Sequence, residues 1–119
     1  MNLADRFTSE CWDASARLKK ELRYNATRFN QMLEEHGGVE TARRLINSAD
    51  PSQGFGVLWE NQRLELSVEA LAMLPWYAPL FTAPELSLAR RRLIDHRFDV
   101  DVYLARSETQ RPEWASTPG

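Results

Sequence analysis

The feature that most constrains this chain is a run of apolar residues at steps of three and four: Leu3, Phe7, Cys11, Ala14, Leu18 and Leu22. A helix returns to the same face every 3.6 residues, so this spacing predicts one long amphipathic helix over Leu3–Leu22. Its opposite face carries Arg6, Asp13, Arg17, Lys20 and Glu21, a mixture of signs that suits a solvated surface. A basic groove-binding face built from Arg17, Lys19, Lys20 and Arg23 is the functional alternative, and the interspersed acids weigh against it.

Helical spacing and capping signals recur along most of the remaining chain. Asn25 is placed to cap a second helix with Phe29, Met32, Leu33 and His36 on its inner stripe, and Gly37-Gly38 offers the left-handed position that ends it. A third helix is predicted from Val39, with Ala42, Leu45 and Ile46 inward. Two helices around a glycine turn invite comparison with a DNA-reading helix-turn-helix. The residues four before and six after each glycine are Leu33 and Arg43, or Glu34 and Arg44, and neither pair has the small and apolar residues of that pattern. Asp50-Pro51-Ser52-Gln53 reads as a helix start, with Asp50 as the cap and Pro51 in the first turn. The glycines at 54 and 56 suggest close approach of another backbone, or an irregular turn. Arg63-Leu64-Glu65-Leu66 alternates like a short strand and is expected to be an extended connector. Ser67 caps the next helix, which Pro75 stops. Thr82 and Glu85 have capping-box spacing, ahead of Leu86, Ala89 and Leu93. Phe98–Leu104 alternates apolar and polar residues and reads as a strand; an isolated strand needs an edge, which a homodimer would supply.

These elements predict an all-α fold, a compact array of about six helices in one domain over residues 1–104, followed by a flexible tail over 105–119. With 119 residues and 43% hydrophobic composition, the chain is long enough for one ordinary core. A net charge of −2 disfavours nucleic-acid binding through the overall field and leaves a local basic face open. The single cysteine, Cys11, excludes an intramolecular disulfide, and the N-terminus has no apolar signal-like segment; a cytoplasmic protein that does not enter the membrane is expected.

Chemistry is harder to find. His36, His96 and Cys11 do not fall at metal-ligand spacings, and Cys11 lies on the buried stripe of the first helix. Asp99 and Asp101 would share one face of a strand and would meet a cation with Asp95, although solvated acids are the simpler account. Gly54-Phe55-Gly56 lacks the further glycines and lysine of a phosphate loop. No catalytic residue, metal or cofactor is therefore expected.

The stretch Gly54–Phe81 instead concentrates aromatic rings beside alternating Arg, Glu and Leu. Residues Asn25-Ala26-Thr27-Arg28-Phe29, Met32, Gly37-Gly38-Val39, Gly54-Phe55, Leu58-Trp59-Glu60, Arg63 through Leu71, and Leu80-Phe81-Thr82 resemble a family of small bacterial helical proteins of unknown function. The resemblance covers about residues 18–97. It implies a bacterial module found alone or joined to larger proteins, some related to restriction or defence, and it assigns no catalytic residues. The function expected from the residues is a non-enzymatic protein-interaction or regulatory module. Trp59, Arg63, Trp76, Tyr77 and Phe81 are its candidate contacts with a protein partner. The alternative is a nucleic-acid-associated accessory factor using Arg43, Arg44, Arg90, Arg91 and Arg92, although three successive helical residues fan over roughly 200° and cannot share one face.

Overall fold

A computed structural model describes residues 1–115 of the chain. Six α-helices follow one another: α1 (Leu3–Leu22), α2 (Thr27–Asn47), α3 (Gln53–Glu60), α4 (Val68–Met73), α5 (Ala83–Asp95) and α6 (Val100–Glu108). Short 3-10 turns occupy Leu64–Leu66, Ala78–Leu80 and Glu113–Ala115, and the described residues contain no strand. The all-α architecture is the one the apolar periodicity predicts.

α1 buries Phe7, Cys11, Ala14 and Leu18 as expected, against α2. Asn2 caps its start by accepting from the Asp5 N–H, and Arg23 ends it in the left-handed region at φ 54°. α2 is two helical segments joined at Gly37, whose φ of 78° and ψ of 172° break the helix where the glycine pair suggested a stop. The neighbouring Gly38 permits the close crossing of the two long helices. A Cβ added there would lie 2.7 Å from the Thr8 Cα, inside any tolerable contact. The Thr8 hydroxyl also accepts the Gly38 N–H at 2.9 Å, a donor that the kink would otherwise leave unsatisfied. Close backbone approach thus occurs at Gly38 rather than at the expected Gly54 and Gly56: Gly56 has open space, and the nearest atom to a Cβ on Gly54 is the Ser52 hydroxyl at 3.9 Å.

Several local expectations are revised. The cap of α2 is Ala26, not Asn25, and no side chain completes it. α3 starts two residues later than Asp50-Pro51 suggested, because the Ser52 hydroxyl accepts the Phe55 N–H at 3.1 Å and serves as its cap. The expected extended connector contains a 3-10 turn over Leu64–Leu66, with Arg63 just before it, and both Leu64 and Leu66 are buried. Ser67 does cap α4, and the Thr82–Glu85 capping box of α5 forms both of its reciprocal bonds.

The largest correction concerns Phe98–Leu104, which is not a strand. Asp99 accepts the Val102 N–H at 3.0 Å and caps α6. Val100 is buried, with Tyr103 and Leu104 partly buried beside it, a stripe at helical spacing that competes with the alternating pattern. With no strand edge to cover, the expectation of a homodimer loses its structural motive. α6 also continues past 104 to Glu108, so the boundary drawn between domain and tail falls inside a helix. Of the predicted tail, residues 116–119 lie outside the described residues.

At the centre lies α4, whose Val68, Glu69, Ala70, Leu71 and Ala72 are all buried. Phe7 from α1 meets Tyr77 and Phe81 edge-on, with ring centroids 5.2 Å and 5.3 Å apart. Such edge-to-face packing complements the aromatic quadrupoles and joins α1 to the loop around the second 3-10 turn. Gly38→Ala tests the helix crossing. The overpacked side chain should destabilise the protein by about 1–3 kcal/mol in urea unfolding, with helix content retained before the transition.

Candidate functional site

The aromatic stretch divides when it folds. Tyr77 is 1% exposed and Phe81 is also buried, so both belong to the core rather than to a binding face. Trp76 is partly buried and packs on the core. Trp59, at the end of α3, is 50% exposed. The candidate contacts therefore reduce to Trp59 and the groups around it.

α3 and the end of α5 hold that tryptophan in place. His96 lies edge-on to both Phe55, at 4.9 Å, and Trp59, at 5.2 Å between ring centroids. The His96 Nδ1 is 2.8 Å from the Arg92 carbonyl oxygen. A carbonyl only accepts, so in this contact Nδ1 carries the proton, and in the neutral imidazole Nε2 is left as an acceptor. Beside these rings runs a groove of about 530 Å³ lined by Trp59, Glu60, Gln62, Leu64, His96, Arg97 and Phe98. It meets a second recess of about 520 Å³ along α6, where Gln62 and Phe98 are shared and Val102 is 44% exposed.

Two residues of the groove have strained backbones. Gln62 has φ 57° and Arg97 φ 62°, both in the left-handed region just past a helix end, where glycine is the usual residue. Each side chain is carried there at a conformational cost. Arg23 has the same conformation away from the groove, so the strain is not confined to this site.

Arg63 does not face the groove as a free cation. It donates to Glu65 at 2.7 Å and to Glu21 of α1 at 2.8 Å, locking the 3-10 turn to the end of the first helix. Hydrogen bonds from Arg17 and Arg63 hold the exposed Glu21 carboxyl down at about 2.

Four of the five arginines of the nucleic-acid alternative are held in separate ion pairs. Arg43 pairs with Glu85, Arg44 with Glu40, Arg90 with Asp101 and Arg92 with Glu69. Only Arg91 of the five is exposed without an ion pair among the described residues. Two of the three acids suggested for a cation are likewise engaged: Asp99 caps α6 and Asp101 meets Arg90. Among the described residues, no three His, Cys, Asp or Glu side chains gather as metal ligands. Burial pushes the Cys11 thiol up, which disfavours a reactive thiolate.

Compared with protein-family models, curated proteins and solved structures, the chain matches none. Among the described residues, no helix is long and apolar enough to cross a membrane.

Sequence reasoning found Trp59 but missed His96, Phe98, Gln62 and Arg97 as its neighbours. His96 gave a weak signal, one residue beyond α5. Phe98 was assigned to a strand, and the left-handed positions carry residues that do not announce them.

The Glu85 carboxylate gives a pH-dependent test of the packing. Burial pushes it up, but hydrogen bonds from the Thr82 backbone, Arg43 and Asn47 outweigh burial and hold it at about 2, below the usual 4.5. A carboxyl depressed in the folded state contributes stability above its ordinary range, and that contribution is lost as pH falls toward about 2. In urea unfolding from neutral pH to acid, Glu85→Gln should flatten the loss of stability below pH 4.5 and be less stable than wild type at neutral pH.

Proposed function

We propose that this chain is a non-enzymatic protein-interaction module whose contact surface is the groove beside Trp59. The observation that carries this reading is the half-exposed indole of Trp59, fixed by His96 at the mouth of an open groove while Phe55, Tyr77 and Phe81 are buried. A large aromatic ring that is already held in place loses little entropy on binding and can bury extensive apolar area. His96 Nε2 and the side chains of Gln62 and Arg97 add polar contacts around that anchor.

The module is proposed to act in a reducing compartment of a bacterial cell, in keeping with its single, buried Cys11. The resemblance to a bacterial family associated in part with restriction or defence proteins suggests a larger assembly as its setting. The pairing of four candidate arginines with acids gives the nucleic-acid alternative less support.

Affinity capture from a bacterial host tests the proposal when wild type, Trp59→Ala and Trp12→Ala are compared, the last at an exposed ring of α1 that does not line the groove. A partner retained by wild type and Trp12→Ala but lost by Trp59→Ala, at nearly unchanged melting temperature, is the expected result; equal retention by all three would sink it. Arg97→Gly supplies a second arm. Relief of the left-handed strain should stabilise the fold by about 1 kcal/mol while weakening capture of the same partner.

A further inference from the structure

The segment after α6 folds back over the molecule. Trp114 lies against Tyr77, with ring centroids 5.7 Å apart, and the Arg6 guanidinium sits 4.5 Å from the centre of the Trp114 ring. Arg111 lies 5.2 Å over the ring of Trp76, and Ala115 is buried. A small recess of about 130 Å³ adjoins Trp114 and includes Arg6, Glu10 and Tyr77. Tyr77 donates its hydroxyl hydrogen bond to Glu10 at 3.2 Å, which fixes the floor of this recess.

The manner of attachment separates this segment from the core. Among the described residues, every hydrogen bond made by Thr109–Ala115 stays within the segment or reaches the end of α6. None reaches α1 or the loop bearing Trp76 and Tyr77, against which its tryptophan rests. Ring packing, two cation–π contacts and the burial of one alanine hold it down. Trp114 itself remains 39% exposed. Such contacts can open locally without unfolding the hydrogen-bonded helices.

We propose that Arg6, Glu10 and Tyr77 form a recognition seat for a tryptophan-bearing protein segment, and that Glu113-Trp114-Ala115 is its internal occupant. The chain's own segment identifies the chemistry that fits: an indole to lie under a guanidinium and against a tyrosine, followed by a small residue that can be buried. A partner segment of this type enters when the internal one lifts away. The internal tryptophan therefore lowers the apparent affinity of the seat by the fraction of time that the seat is closed. This surface shares no lining residue with the groove beside Trp59.

The test uses a fluorescein-labelled nonapeptide, Ser-Glu-Thr-Gln-Arg-Pro-Glu-Trp-Ala, the sequence of Ser107–Ala115, titrated by fluorescence anisotropy into full-length wild type and Trp114→Ala. The peptide should bind the variant roughly tenfold or more tightly than wild type, and its tryptophan-to-alanine version should bind neither. Equal affinity for both proteins, or no binding to a variant that melts close to wild type, overturns the proposal. If the variant is unfolded at the assay temperature, nitrogen-15 spectra of wild type with excess peptide decide instead. Movement of the Trp114 indole signal toward its position in the free peptide supports the seat, and an unmoved signal overturns it. A concentration-dependent dimer of wild type that Trp114→Ala abolishes would assign the seat to a second copy of this chain and overturn the foreign-segment reading.

Discussion

Arg92 reaching into the interior to meet Glu69 is the interaction on which the arrangement of helices depends. The two side chains are 12% and 3% exposed and lie 3.0 Å apart. The same guanidinium donates to the Leu45 carbonyl at 2.9 Å and the Ser48 carbonyl at 2.6 Å. One residue of α5 thereby binds the central α4 and satisfies acceptors at the end of α2, where helical carbonyls lack intrahelical partners. Burial pushes the Glu69 carboxyl up, while Arg92 opposes that shift by favouring its charged form. A buried pair of this kind is weak evidence of net stability compared with an apolar packing. It is strong evidence of geometry, because either charge left alone in the core would be costly.

This clamp also explains why the three consecutive arginines do not make a basic patch. Arg92 points inward to Glu69, Arg90 is drawn to Asp101 on α6, and Arg91 is exposed. The helical turn between adjacent residues assigns each to a different neighbour. Arg43 follows the same logic through Glu85, whose carboxylate also completes the α5 capping box. Much of the charge that suggested a nucleic-acid surface is spent on joining helices.

The aromatic residues divide by a similar principle. Phe7, Tyr77 and Phe81 form an interlocked interior set, and His96 at the end of α5 rests against Phe55 and Trp59 of α3. Two of the partly exposed rings rest on this framework, Trp59 beside an open groove and Trp114 on Tyr77. Both are supported from below by core residues, so each presents a positioned ring rather than a mobile one.

Local grammar made much of the fold legible. The spacing from Leu3 to Leu22, the glycine break at 37, the Ser67 cap and the Thr82–Glu85 box rest on interactions within a few residues, which is why they could be read in order. The alternation of Phe98–Leu104 misled because an apolar face seven residues long fits both periods, and the Asp99 cap decides between them. What the sequence determined by itself was therefore the helical class and the ends set by local caps and breaks, those of α1 and α4 and the start of α5. Only the tertiary structure decided that Tyr77 and Phe81 are core, that Trp59 meets His96, and that Trp114 returns to Arg6. Those outcomes depend on residues far apart in the chain meeting in space, and side-chain chemistry alone does not say whether a ring will find a neighbour or water.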